Sequence, residues 1–298
     1  MHNRGAKIAE RRSVRADAAL AEATRSLARA GIESARLDAE VLLAHVLEKP
    51  RLSFYSDPDQ PLEPQQGSRY GGLLARRCRR EPLAYLTGEK EFFSLPFEVD
   101  RSVLIPRPET ERVVEAALEV LRPIAREDRT PTFIDVGTGS GAIAVAILAN
   151  LPRGRAIATD VSAAARAVAR RNAERHHVAE RLTLLEGDLF AGHSGEVDLV
   201  VSNPPYVGEG DRERLAPEVR DYEPPEALFA DRDGLSVIRR LVEEAPAHLP
   251  PGGRLILEFG HNQKAPVHGL LESAGAWRQI QIRDDLAGIP RVAIARKR

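Results

Sequence analysis

The spacing of apolar positions changes character twice along this chain. From Val14 to about Arg80 apolar residues recur at helical spacing. LAEATRSLARAG stops at Gly31, LDAEVLLAHVLEK stops before Pro50, and a third helix is predicted from roughly Gln65 to Arg80. Between Pro82 and Pro108 the pattern shortens to β-like runs, EFFSLPFEVD and VLIP, broken by Pro96 and Pro106, which predicts a hairpin linker. From Glu109 onward strand-like and helix-like segments alternate. Strands are predicted at TFIDV (132–136), RAIATD (155–160), LTLLEG (182–187), VDLVVS (197–202), RLILEF (254–259), RQIQIRD (278–284) and RVAIAR (291–296). Helical stretches, among them GAIAVAILAN, AARAVARRNAERH and SVIRRLVEEAPAHL, are expected between the first five.

Such alternation predicts an α/β protein with a mostly parallel, doubly wound sheet covered on both faces. Only DLAGIP joins the last two strands. It is too short for a crossover helix, so they should pair antiparallel. The expected domains are a helical one at 1–85, a hairpin linker at 86–108 and an α/β domain at 109–298. There is no internal repeat.

Composition narrows the function classes. The chain has 298 residues, 43 Lys+Arg against 44 Asp+Glu and a net charge of −1, so no global field gathers nucleic acid or an anionic membrane. Arg76-Arg77-Cys78-Arg79-Arg80 is a local basic run, read here as a solvated helix face. Cys78 is the only cysteine, which excludes an intramolecular disulfide framework and a multi-thiolate zinc site and fits a reducing cytoplasm. The first residues, MHNRGAKIAERRSVRAD, contain no apolar h-region, and no stretch is apolar enough to span a membrane, so neither export nor anchoring is expected. The histidines, including His176-His177 and His261, form no ligand or triad pattern, and no metal site is expected.

Candidate chemistry begins after the first sheet strand. Asp135-Val136-Gly137-Thr138-Gly139-Ser140-Gly141 lies at a strand-to-helix turn, where glycines let a ligand lie against backbone at a helix N-terminus. Gly137, Gly139 and Ala142 also satisfy the loose dinucleotide fingerprint, so an NAD site stands as a rival. Asp160, at the end of the second strand, suits the two hydroxyls of a ribose, and Asp188, ending the third, suits the edge of an adenine. Asp135 could meet an ammonium. Three acids and no arginine placed for a pyrophosphate favour a cationic sulfonium cofactor over an anionic dinucleotide.

The fourth strand ends in Asn203-Pro204-Pro205-Tyr206, at the sheet edge where ligands of doubly wound folds bind. The Asn203 side-chain carbonyl can accept one N–H of a planar amino or amide group, its orientation being expected from neighbouring backbone. Pro204 lacks a donor and has a fixed φ, which leaves a backbone carbonyl for the second N–H. Tyr206 offers an aromatic face. The set can aim a feebly nucleophilic nitrogen at an electrophilic methyl without a strong base, because the proton becomes acidic once nitrogen carries the methyl.

With these residues the chain resembles the class I S-adenosylmethionine-dependent methyltransferases and, more closely, the HemK/PrmC family, the protein-(glutamine-N5) methyltransferases of peptide chain release factors. Besides NPPY, the resemblance rests on RLDAEVLLAHVL (36–47), REPLAYLTGEKEFFSLPFEVDRSVLIPRPETE (80–111), DVGTGSGAIAVA (135–146), EVRDYEP (218–224) with EALFADRDGL, and LEFG (257–260). It implies a Rossmann-like sheet with an antiparallel last strand. Expected cofactor contacts are Asp135, Gly137, Thr138, Gly139, Ser140, Gly141, Asp160, Asp188, Leu189 and Asn203. Asn203, Pro204, Pro205 and Tyr206 would bind the glutamine of a Gly-Gly-Gln motif in release factors 1 and 2. Arg107 and Glu109 would support the cofactor-side wall, and the helical domain would grip the protein substrate. The implied enzyme is a cytoplasmic monomer without stable nucleic-acid or membrane binding. Relatives often have an aromatic where this chain has Leu189, and a more polar turn than DLAGIP. Other readings are methylation of a ribosomal-protein glutamine, methylation of an adenine or cytosine amino group, an NAD-dependent oxidoreductase and a non-catalytic binding protein.

Overall fold

The computed structural model describes residues 14–298. Residues 1–13 of the expected helical domain, with most of the segment read for export signals, lie outside the described residues. The chain divides into two compact units, 1–87 and 88–298. Among the described residues no helix is long and apolar enough to cross a membrane.

In the first unit, the two-residue strands β1 (Val14–Arg15) and β2 (Pro61–Leu62) pair antiparallel. Around them lie helices α1 (Ala16–Arg29), α2 (Ala35–Leu47), α3 (Ser53–Ser56), α4 (Pro64–Cys78) and α5 (Leu83–Thr87). Leu20, Leu27, Leu42, Leu43 and Val46 form the core of this unit, the i, i+3, i+4 stripe that the pattern predicts. Gly31, at φ 76°, turns the chain after α1, and Pro64 with a Glu63–Gln66 capping box starts α4.

The basic run is not a solvated face. Arg76 makes a two-pronged pair with Glu81, Arg77 donates to buried Asp38 at 2.7 Å, and Arg80 donates to the Gly31 carbonyl at 2.7 Å. Acids 5 and 39 positions away in sequence draw the first two guanidiniums inward, which local spacing cannot reveal. Glu40 is buried too and accepts from Arg36, Arg51 and the Tyr55 hydroxyl at 2.6–2.9 Å.

The second unit opens with a hairpin of β3 (Glu89–Phe92) and β4 (Leu95–Glu98). Its turn residues Phe93 and Ser94 both have positive φ, the twist a two-residue hairpin loop demands. VLIP forms no strand; it leads through a short 3₁₀ turn, Pro108–Thr110, into α6 (Glu111–Arg126). Then follow β5 (Thr132–Val136), α7 (Ala142–Ala149), β6 (Arg155–Asp160), α8 (Ala163–Arg175), β7 (Leu182–Glu186) and β8 (Leu199–Ser202). The chain continues with α9 (Pro217–Arg220), α10 (Pro225–Leu228), α11 (Ser236–Glu244), β9 (Arg254–Glu258), α12 (Lys264–Ser273), β10 (Trp277–Asp284) and β11 (Pro290–Lys297).

The sheet order is β10-β11-β9-β8-β5-β6-β7, with β11 antiparallel to both neighbours and the other pairs parallel. Helices α6, α7 and α8 cover one face and α11 and α12 the other, so the core lies in two layers. The helix expected between the third and fourth strands is absent: residues 187–198 run as turns, with Gly192 and Gly195 at positive φ. The helix after Ser236 ends early because Pro246 shifts it into a 3₁₀ turn.

Candidate functional site

At the carboxyl edge of β5 the chain turns through three glycines with φ of 72°, 56° and 79° at positions 137, 139 and 141. The three serve different ends. A Cβ at Gly141 would stand 3.1 Å from the Ala169 Cβ, so this glycine lets the loop pack on α8, whereas a Cβ at Gly137 or Gly139 would meet nothing within 4 Å. Those two leave open the space beside the loop, where a ligand can approach backbone. The loop is anchored from below: Gly137 and Thr138 N–H donate to the Thr159 carbonyl, and Gly139 N–H donates to Asp160 at 2.8 Å.

Asp160 uses its other oxygen to accept from Ser162 N–H at the start of α8, and so holds loop and helix together while lining the same cleft. Asp188 lines the cleft too and pairs with Arg240 at 2.9 Å. Leu189 adopts φ 50° there, its carbonyl held by the Thr159 hydroxyl. The aromatic that follows, Phe190, is no substitute for the one missing at 189, because it stacks on His248 in the core at 4.3 Å. Asp135 lies beneath the loop, not on the cleft wall. It is fully buried, with Oδ2 accepting from the Thr138 hydroxyl and Ala144 N–H and Oδ1 unpartnered. Burial pushes its carboxyl up to about 7 against the pull of those two donors.

Asn203, Pro204 and Pro205 line the cleft opposite the glycine loop. The orientation of Asn203 comes not from neighbouring backbone but from a side chain far away in sequence. Its Nδ2 donates to Thr110 Oγ1 at 3.2 Å, and Thr110 Oγ1 donates to Glu258 Oε2 at 2.6 Å. Tyr206 Oη donates to the other oxygen, Glu258 Oε1, at 3.1 Å. The Tyr206 ring packs among core residues behind the cleft and is not among the residues lining it. Burial pushes Glu258 up to about 7 even though Thr110, Tyr206 and Arg291 favour its charged form, while Glu109 opposes it.

Sequence reasoning missed five supports, each joining segments that are remote in the chain. Thr110 and Glu258 are two. Asn172, fully buried, accepts from Glu98 N–H and donates to the carbonyls of Glu98 and Ser140, tying the hairpin to the glycine loop. Gln263 donates to the carbonyls of Tyr206 and Asp233 and accepts from Gly260 N–H, fixing the exit from the prolines. Arg107 pairs with buried Glu223, which also accepts from Ile105 N–H, so IPRPETE and EVRDYEP meet. The quoted segments held the signal for Thr110, Glu223 and Glu258; their partners were not readable there.

Among the described residues, acids Asp160, Asp188 and Glu226 line the cleft, and no arginine, lysine or histidine does. A pyrophosphate would find no cation there. A sulfonium with an ammonium and a ribose finds carboxylates, and the open sides of Gly137 and Gly139 give it room. The acidic lining thus suits the cationic S-adenosylmethionine better than an anionic dinucleotide.

A family described as the PrmC N-terminal domain matches residues 18–88, and one described as the methyltransferase small domain matches 111–218. A release factor glutamine methyltransferase from Cereibacter sphaeroides is 46% identical over 285 residues, 95% of this chain and 99% of the relative. One of the same name from Nitratidesulfovibrio vulgaris is 42% identical, over 93% of this chain and 94% of its own. Among solved structures, a methyltransferase from Pyrococcus furiosus superposes with a TM-score of 0.50 at 21% identity, covering 75% of this chain and 98% of its own; it supports the fold alone. The reversed last strand, the acid-lined cleft and relatives matching nearly end to end agree: the chain belongs to the release factor glutamine methyltransferase family, enzymes of the class I S-adenosylmethionine-dependent fold.

Proposed function

We propose that this enzyme methylates the side-chain amide nitrogen of the glutamine in the Gly-Gly-Gln motif of peptide chain release factors 1 and 2. The observation that carries the reading is the amide of Asn203, whose Nδ2 is engaged by Thr110 so that Oδ1 is left to accept. S-adenosylmethionine supplies an electrophilic methyl group. Asn203 Oδ1 accepts one N–H of the substrate amide and a carbonyl beside Pro204 accepts the other, which fixes the nitrogen in line. Orientation of this kind can replace about 7–11 kcal/mol of barrier. After transfer the nitrogen sheds a proton that has become strongly acidic, so water suffices as the base.

In this reading Gly137, Thr138, Gly139, Ser140, Gly141, Asp160, Asp188 and Leu189 hold the donor, with Asp135 bracing the loop from beneath. Asn203, Pro204 and Pro205 hold the glutamine, with Tyr206 behind them. Residues 1–85 grip the release factor, 86–108 link and 109–298 catalyse, in a cytoplasmic monomer.

The deciding experiment incubates the protein with labelled S-adenosylmethionine and purified release factor, and repeats it with the motif glutamine changed to alanine. Label should appear only on the unaltered factor; label that persists on the altered one sinks the assignment. Asn203→Ala should lower kcat about 10²–10³-fold, the scale for removing one preorganised polar contact at a reacting centre, with cofactor affinity within about threefold. A matching loss of cofactor affinity would contradict the separation of roles.

A further inference from the structure

The hydrogen bonds behind Asn203 have a direction, and Glu258 sets it. Thr110 and Tyr206 carry hydroxyls that can donate or accept, and Asn203 can present either end of its amide. An ionised carboxylate can only accept. When ionised, Glu258, 1% exposed, therefore obliges both hydroxyls to donate to it, at 2.6 and 3.1 Å. With its one proton committed, Thr110 Oγ1 faces Asn203 with a lone pair, receives Nδ2, and turns Oδ1 the other way.

We propose that Thr110 and Glu258 are positioning residues for methyl transfer, acting through Asn203 by fixing which end of its amide meets the acceptor nitrogen. This rests on the reading that the acceptor is an amide NH2. A flipped Asn203 would confront that group with donors and replace an attraction by a repulsion. Tyr206 holds the far side of the carboxylate, so Glu258 cannot swing away from Thr110. Serine at 110 keeps the directional contact, whereas valine keeps the shape and removes it. Glutamine at 258 keeps the size but introduces a donor, so the direction is lost.

The test measures steady-state kinetics on the full chain with release factor at about pH 8, above the value near 7 to which burial pushes Glu258. Cofactor titration calorimetry and ¹⁵N spectra accompany it, the Asn203 side-chain NH2 signals being identified by their loss in Asn203→Ala. Thr110→Val and Glu258→Gln should each lower kcat by about 10- to 100-fold, the scale of a small misplacement. Cofactor affinity should stay within about threefold, and Thr110→Ser should keep kcat within about threefold of wild type. The double variant should be no slower than the slower single, because both changes act on one amide. Unchanged kcat in Thr110→Val, or singles that multiply in the double, would overturn the proposal. Should the wild-type enzyme leave the release factor unlabelled, the substrate reading fails separately and the spectra decide: Asn203 signals that move in Thr110→Val support the positioning role, and unmoved signals refute it.

Discussion

The two units differ in how they hold some of their buried carboxylates. In the helical unit Asp38, Glu40 and Glu81 each meet arginine: Arg77, the Arg36–Arg51 pair and Arg76. Burial alone would push Glu40 up, but hydrogen bonds from Arg51, Tyr55 and Arg36 outweigh it and hold it below the usual range. In the catalytic unit Glu223 and Asp285 also meet arginine, but Asp135 and Glu258 are bonded only to hydroxyls and a backbone N–H. Those two sit behind the glycine loop and behind Asn203. Asp135 and Glu258, which no guanidinium contacts, keep an ionisation near neutrality, a hallmark of functional sites.

The hardest way to break this contrast is to remove a cation from the helical unit. Arg77→Met leaves Asp38 buried without its partner and should cost about 3–5 kcal/mol, read by denaturant unfolding, with the cofactor dissociation constant unchanged. A loss below about 1 kcal/mol would mean that the pair does not hold the fold.

A smaller effect separates the catalytic unit. The folded values of Asp135 and Glu258 are raised to about 7, so the stability tied to their neutral forms is fully present below about pH 4 and is lost as pH rises through 7. Unfolding free energies of Asp135→Asn and Glu258→Gln, each taken relative to wild type, should therefore rise across that window, by up to about 4 kcal/mol. Parallel curves would erase the distinction between the units. Smallest is Gly139→Ala, which places a side chain at φ 56° at a strain of about 1–2 kcal/mol. Calorimetry should show cofactor binding weakened about tenfold, with the helical unit's unfolding unaffected.

The strands were legible because apolar alternation and length are local signals: TFIDV and RAIATD match β5 and β6 residue for residue. The 187–198 connection was not, because GDLFAGHSGEVD follows turn chemistry where alternation led one to expect a helix. The place of Asn203 on the cleft was legible from Asn-Pro-Pro-Tyr, since the strand before it carries it to the sheet edge. Its orientation was not, because Thr110 and Glu258 lie 93 and 52 residues from Asn203 and Tyr206 and 148 from each other. The arginine run misled for the same reason: only folding brings Asp38 to Arg77.

That wide separation ties the reactive geometry to the order in which the chain is made. Asn203 leaves the ribosome well before Glu258, and β9, which carries Glu258, is bordered on one side by β11, made later still. A nascent or clipped chain that ends before β9 therefore holds the full Asn-Pro-Pro-Tyr motif and the glycine loop but lacks the carboxylate that Thr110 bonds behind Asn203. Under the positioning role proposed for Glu258, competence arrives with the closing strands, and turnover becomes a report of complete folding.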